Sequence, residues 1–146
     1  MKEISYRLRG ALINAINPLT YLGTVIPVFD TVVNPNVSIP NINGAQCYVL
    51  INSQTNNETT NDKCQTRLDA NINFDVVTKF PSGQGGYINA EKIGELISLE
   101  VNRSLSISDF KLLNVTMNFN QNLFEQGTSQ FAFRKIISYR FDVFEL

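Results

Sequence analysis

The stretch Thr66–Lys79, TRLDANINFDVVTK, alternates apolar and polar side chains and decides the fold of this chain. Its apolar positions are Leu68, Ala70, Ile72, Phe74 and Val76. Successive side chains of a strand point to opposite faces, so this pattern predicts a central strand with one face in the core and one in water. A slip of one residue would expose the whole apolar set, and the strand therefore sets the register of its neighbours.

Two segments before this strand predict the other half of a hairpin. Gln46–Asn52 is apolar on both faces, which is typical of a strand covered on both sides. Ser53–Asp62 contains no large apolar residue and is predicted to form the polar tip that joins the two strands. A solvated loop and a loop that becomes ordered on a partner are both consistent with its composition. A short strand near Val28–Val33 is expected at a sheet edge, because Pro27 cannot donate to a ladder.

Two segments have the apolar spacing of amphipathic helices, one over about residues 2–17 and one over about residues 90–104. The stripe residues are Ile4, Leu8, Leu12 and Ala15 in the first helix and Ile93, Ile97, Val101 and Leu105 in the second. Pro18 limits the first helix, because proline disfavours helical geometry in the residue before it. Asn89 is predicted to cap the second.

Two more alternating segments close the chain. Leu113–Asn120 and Phe131–Val143 are predicted strands, joined by a turn within residues 121–130. The order of elements predicts one α+β domain over residues 1–146, with an antiparallel or mixed β-sheet, two helices packed on one face and an extended β-hairpin. The sheet face without helices is predicted to carry Tyr48, Leu50, Ile136 and Phe144. An uncovered apolar face usually binds a partner.

Composition excludes several functions. The formal charge is −1 and the pI is near 5.4, so no basic surface is available for tight binding to nucleic acid. The chain has no His, which removes the commonest general base and zinc-binding nitrogen. Asp69 and Asp75 would lie about 20 Å apart along one strand, too far for an acid and base pair. No enzyme activity, cofactor or metal site is predicted.

Cys47 and Cys64 lack the CxxC spacing of metal and redox sites and are predicted to be reduced thiols. If the hairpin turns near Thr55 and Asn56, the two cysteines lie opposite each other across the strand pair. No apolar run has the length of a signal peptide core or a membrane span, so synthesis in a cytoplasm is expected.

Phe80–Tyr87 is rich in glycine and precedes a helix, as phosphate-binding loops do. It matches neither the GxxxxGK nor the GxGxxG pattern, and no Lys stands where the first pattern requires it. A phosphate site is therefore not predicted.

The order and type of these segments resemble the small tail-completion or tail-terminator proteins, the head–tail connectors, of tailed bacteriophages. The segments that carry the resemblance are RLRGAL at 7–12, VIPVFD at 25–30, CYVLI at 47–51, LDANINFDV at 68–76 and VNRSL at 101–105. Proteins of that family are α+β and assemble as rings where the head meets the tail. The resemblance covers about residues 4–105, and the long proline-rich segment before Gly44 departs from the pattern.

The resemblance implies a virion protein that forms a six-fold or twelve-fold ring at the head–tail junction. It implies portal, connector or tail proteins as neighbours, DNA that passes without specific binding, and assembly in a bacterial cytoplasm. The predicted contact residues are Gln54, Thr55, Asn56, Asn57, Glu58, Thr59, Thr60 and Asn61 in the polar tip and Phe131, Phe133, Tyr139 and Phe141 in the last strand. The alternative is a small monomeric module that binds through the exposed sheet face or edge.

Overall fold

The computed structural model describes residues 2–61, 66–103 and 105–146. The helices are α1 (Ser5–Ile16) and α2 (Ile88–Val101). The strands are β1 (Leu19–Tyr21), β2 (Thr24–Ile26), β3 (Val28–Asp30), β4 (Asn41–Ile42), β5 (Ala45–Asn61), β6 (Thr66–Pro81), β7 (Phe110–Gln126) and β8 (Gln130–Glu145). Neither helix has the length and apolar character needed to cross a membrane.

The main sheet has the strand order β3-β5-β6-β8-β7, with β4 paired to the start of β5. The four long strands β5, β6, β8 and β7 are 16 or 17 residues each, and neighbours among them are antiparallel. Only β3 among the described strands of this sheet runs parallel to its neighbour. β1 and β2 form a separate hairpin. The mixed sheet and the two helices confirm the predicted α+β class.

Both helices pack on one face of this sheet. The large apolar residues that the helices bury are Leu8, Leu12 and Ile16 in α1 and Ile93, Ile97 and Val101 in α2. They join the alternating apolar side chains of β6 in one cluster, in which Phe74 and Ile97 are both completely buried. A smaller cluster of Phe29, Tyr48 and Val77, with Leu50 against it, lies on the other face. The predicted core and the predicted direction of Tyr48 and Leu50 are confirmed.

The predicted helix bounds are close to those observed, but the predicted cap of α2 is wrong. Tyr87 occupies the cap position, and no side chain caps the helix. Asn89 lies inside the first turn and is buried, where its Nδ2 donates to the Ile42 carbonyl at 3.2 Å. Its Oδ1 accepts a hydrogen bond from the Tyr21 hydroxyl at 3.0 Å. Asn89 therefore ties the β1–β2 hairpin to the helix.

The predicted polar tip at Ser53–Asp62 is largely a strand. β5 continues through Asn61, which pairs with Thr66 of β6, and the hairpin does not turn near Thr55. Thr55 pairs with Asn71, and Cys47 pairs with Thr78, so the predicted register of Cys47 is wrong. Cys64 lies outside the described residues. Backbone pairing with β6 holds this part of β5, and its polar sequence gives no alternation by which to recognise a strand.

The last strand, which supplies four of the predicted contact residues, does not lie at an edge of the sheet. β8 lies between β6 and β7, and both of its sides are paired. The outermost strand on this side of the sheet is β7, and β3 is outermost on the other side. The connection between β7 and β8 is shorter than predicted and consists of residues 127–129, with the Gly127 amide donating to the Gln130 carbonyl at 2.9 Å.

Candidate assembly surfaces

Two of the long strands have open edges among the described residues, in addition to the outer sides of the short strands β3 and β4. β3 and β4 pair with Ala45–Ile51 of β5, so Asn52–Asn61 has β6 on one side and no described strand on the other. β7 has β8 on one side and no described strand on the other. Unpaired edge strands present free backbone N–H and C=O groups that can pair with another chain.

The open half of β5 and the half of β7 at Phe110–Phe119 lie at the same height of the sheet. One cross-strand row shows this: Thr55 pairs with Asn71, Asn71 with Arg140, and Arg140 with Thr116. Two residues further along β5, another row joins Asn57, Asp69, Asp142 and Asn114 in the same way. The two open halves are thus the opposite borders of one four-stranded block.

Both open halves contain two irregularities in register. In β5 they fall between Asn52 and Gln54 and between Glu58 and Thr60. In β7 they fall between Met117 and Phe119 and between Leu112 and Asn114. The first irregularity of β5 and the first of β7 lie at the same height, between the rows of Ile72 and Asn73 on β6. The second irregularities of the two strands lie one row apart. Bulges bend and twist a strand, so the two borders bend at one shared level and at a second level that differs by one row.

An ion-pair network crosses the sheet face that has no helix. Arg134 of β8 donates from Nε to Asp75 Oδ1 of β6 at 3.2 Å, and its two terminal nitrogens reach Asp75 and Glu125 of β7. The sequence places Asp75 on a solvated face, but the residue is only 1% exposed, beside the guanidinium. The bond to Asp75 raises the pKa of Arg134. The network links three strands and neutralises a buried carboxylate.

A pair of like charges lies on the same face. Asp69 and Asp142 stand directly opposite each other on β6 and β8. The hydrogen bond with Asp142 raises the pKa of Asp69, while the nearby Arg140 acts in the opposite direction. Asp69 and Asp75 are six positions apart on one strand. Among residues 2–61, 66–103 and 105–146, no group of three side chains could hold a metal ion.

Aromatic rings cluster at the end of the sheet that lies away from the open half of β5, beside the start of α2. The cluster comprises Phe80, Tyr87, Phe124, Phe131 and Phe133, with ring centroids 4.9 to 5.7 Å apart in each contacting pair. Gly85 has a φ of +142° and passes so close that a Cβ there would overlap the Phe133 ring. The glycine-rich segment therefore permits close packing over an aromatic ring, a role that its sequence alone does not reveal.

The predicted contact residues fall in three places. The residues from Gln54 to Asn61 belong to the open half of β5. Phe131 and Phe133 belong to the aromatic cluster at the far end of the sheet and are partly exposed. Tyr139 and Phe141 lie in the core, 1% and 0% exposed, and burial raises the pKa of Tyr139. The Tyr139 hydroxyl lies 2.5 Å from Ser98 Oγ of α2, so this residue links sheet and helix.

The sequence did not identify the β7 border as an exposed edge. Its apolar residues Leu113, Met117 and Phe119 are 41%, 43% and 46% exposed, although their alternation with polar residues is typical of a half-buried strand. Only the strand order reveals that no described element covers them.

One solved structure provides a comparison over nearly the whole chain. It is described as the virion of a native gene transfer agent particle, and one of its chains matches with a TM-score of 0.50 and 16% sequence identity. The match covers 95% of this chain and 91% of that chain. No protein-family model and no curated protein matches. At this identity, the similarity establishes a shared fold.

Proposed function

We propose that this chain is a structural, non-enzymatic virion protein that forms a closed ring at the head–tail junction of a phage or phage-like particle. The observation that carries the proposal is the fold shared with a chain of a gene transfer agent virion over 95% of the present chain. The segment order that resembles tail-completion and tail-terminator proteins supports the position at the junction. In this role the ring joins neighbouring rings around the DNA passage.

The two open borders support a ring. A ring is built from heterologous contacts, in which each subunit uses one patch toward one neighbour and a different patch toward the other. The open half of β5 and the edge of β7 are two such patches on opposite sides of one block. A six-fold or twelve-fold rotation closes the assembly, with portal, connector or tail proteins above and below it.

Two paired arginines on the helix-free face support passage of DNA without specific binding. Arg134 is engaged by Asp75 and Glu125, and Arg140 lies 3.4 Å from Asp142. These cations already have carboxylate partners, so they offer little counterion release to a phosphate backbone. The polar border at Gln54–Asn61 contains Glu58 and no Lys or Arg.

Native mass spectrometry of the full chain, followed by electron microscopy of the purified particles, tests the proposal. We expect a single closed oligomer of six or twelve copies, and antibody label at the neck of intact virions. A chain that stays monomeric at all concentrations and is absent from virions contradicts the ring. That result favours the monomeric binding module.

A further inference from the structure

We infer that neighbouring copies join by strand pairing, with β7 of one subunit adding antiparallel to the open half of β5 in the next. This inference rests on the proposed ring and names its interface. The occupant of each open border is therefore a second copy of this chain, and the joined blocks form one continuous sheet around the ring.

Strand direction favours this arrangement. Along the block β5-β6-β8-β7, each strand is antiparallel to the one before it. β7 therefore runs opposite to β5, and placing the β5 of the next copy beside β7 continues the alternation without a break. Antiparallel pairing brings the two borders together with both subunits in the same orientation about the ring axis.

Border shape favours the same pairing. β3 and β4 occupy the edge of β5 at Ala45–Ile51 and leave only Asn52–Asn61 accessible. The stretch of β7 at the same height is Phe110–Phe119, and the register irregularities of the two stretches share one level and differ by one row at the other. Since a bulge adds one residue to its strand, two strands with the same bulges keep equal path lengths when they pair.

Side-chain chemistry is also compatible. Each of these ten-residue borders contains one charged residue, Glu58 in β5 and Lys111 in β7, and the charges are opposite. The exposed apolar side chains Leu113, Met117 and Phe119 would be covered by the neighbour. With the bulges aligned, Thr116 of one copy stands beside Thr55 of the next, and Thr–Thr pairs are favourable cross-strand neighbours.

Disulfide trapping tests the interface. The variant Thr55→Cys/Thr116→Cys is made in a Cys64→Ser background, and Cys47 is retained because it is buried and burial raises its pKa to about 11. Within one subunit the two positions are three strand spacings, about 14 Å, apart, which excludes an internal disulfide. Oxidation is therefore expected to give a ladder of covalent multimers that ends at the ring size.

Single-cysteine variants, which cannot link beyond dimers, are the first control. The second control is Thr55→Cys/Gln121→Cys, which should give no ladder. Gln121 lies at the height of Leu50, where β3 occupies the edge of β5. Asn114→Cys and Phe119→Cys, each with Thr55→Cys, sample shifted registers, and a ladder from either also supports the edge pairing. If native mass spectrometry shows a ring but none of the cysteine pairs gives a ladder, this interface is wrong and the proposed ring still stands. A monomer overturns both.

Discussion

Arg134 and Asp75 form the most buried ion pair on the sheet face that carries no helix, with Nε and Oδ1 3.2 Å apart. β8 supplies the guanidinium and β6 the carboxylate, and Glu125 of β7 binds the same guanidinium. An open sheet face normally leaves its acids in water, whereas Asp75 is 1% exposed. The ion pairs of Arg134, together with backbone hydrogen bonds, therefore hold β8 in the centre of the long block.

Arg134→Ala is expected to lower the free energy of unfolding strongly, because it leaves the Asp75 carboxylate buried and without its cation. Removal of one partner of a buried pair costs about 3–5 kcal/mol, and the partial exposure of Arg134 places this site near the lower value. Urea unfolding measures the change. Arg140→Ala is the control, since Arg140 has 42% exposure in its side chain and its pairing with Asp142 should contribute no more than about 1 kcal/mol. Equal effects of the two variants would contradict this account.

Phe74→Ala tests the central position of β6. Phe74 is completely buried and meets the Tyr139 ring edge-on at a centroid distance of 5.9 Å. Truncation of a buried Phe costs about 3–5 kcal/mol, because it removes contacts and leaves a cavity. Thermal and urea unfolding should show this loss, while Phe119→Ala, at a site 46% exposed, should change little in the monomer. A Phe74→Ala protein with the parent stability would place the core elsewhere.

Gly85→Ala should destabilise the chain by about 2–4 kcal/mol, since it adds backbone strain to an overlap with Phe133. Its φ of +142° lies in a region that L side chains rarely adopt. Gly10→Ala in α1 is the matched control, because its Cβ meets nothing within 4 Å. That change should stabilise by about 0.5–1 kcal/mol through higher helix propensity. The double variant Gly85→Ala/Phe133→Ala should recover part of the expected loss if ring overlap is the cause.

The pKa shifts of Asp69 and Asp30 predict opposite dependences of stability on pH. Asp142 raises the folded-state pKa of Asp69 above its unfolded value, so stability is greatest below the unfolded pKa and is lost as pH rises through the folded one. Arg9 lowers the folded-state pKa of Asp30, so its contribution is present above the unfolded pKa and is lost as pH falls through the folded value.

Melting temperatures from pH 3 to pH 7 separate the two effects. Relative to the parent, Asp69→Asn should gain stability as pH rises, because the carboxylate repulsion is gone. Asp30→Asn should lose stability over the same rise, because the parent alone forms the bond to Arg9. Parallel curves for both variants and the parent would contradict the assigned causes.

Elements with an apolar face were predictable from the sequence. The alternation in β6 and the stripes of both helices record burial against a common core, and their positions differ little from those observed. Ser53–Asn61 of β5 has a polar sequence without alternation, and the sequence therefore predicts a tip there. On the helix side, the Asn56 amide donates to the Ser5 hydroxyl near the start of α1 at 2.9 Å. Such a strand is defined by its backbone partner, which a residue pattern does not encode.

Which strand lies at the edge of the sheet was harder to predict than where the strands lie in the sequence. β7 and β8 alternate in similar ways, and the choice between edge and interior depends on which of them pairs with β6 after α2 crosses the sheet. The crossover places β8 beside β6 and leaves β7 outside. Tyr139 and Phe141 therefore contribute to the core, and Leu113, Met117 and Phe119 are the exposed apolar residues of the edge.

A charge on the outer border should separate assembly from folding. Phe119→Lys places an ammonium group on the stretch of β7 that is proposed to meet the next subunit, and lysine on edge strands opposes edge-to-edge pairing. Because Phe119 is 46% exposed in the single chain, the variant is expected to unfold within about 0.5 kcal/mol of the parent. Native mass spectrometry should show a shift from ring to monomer.

Phe124→Lys is the matched control for that shift, since Phe124 is also on β7 and also 46% exposed. It lies at the height where β3 and β4 cover β5 in every copy, so the neighbour's β5 cannot pair with β7 there. Its contacts with Phe131 and Phe133 predict some loss of stability but an intact ring. If Phe124→Lys dissolved the ring and Phe119→Lys preserved it, the subunits would meet through the aromatic end of the sheet, and the strand-paired border would be wrong.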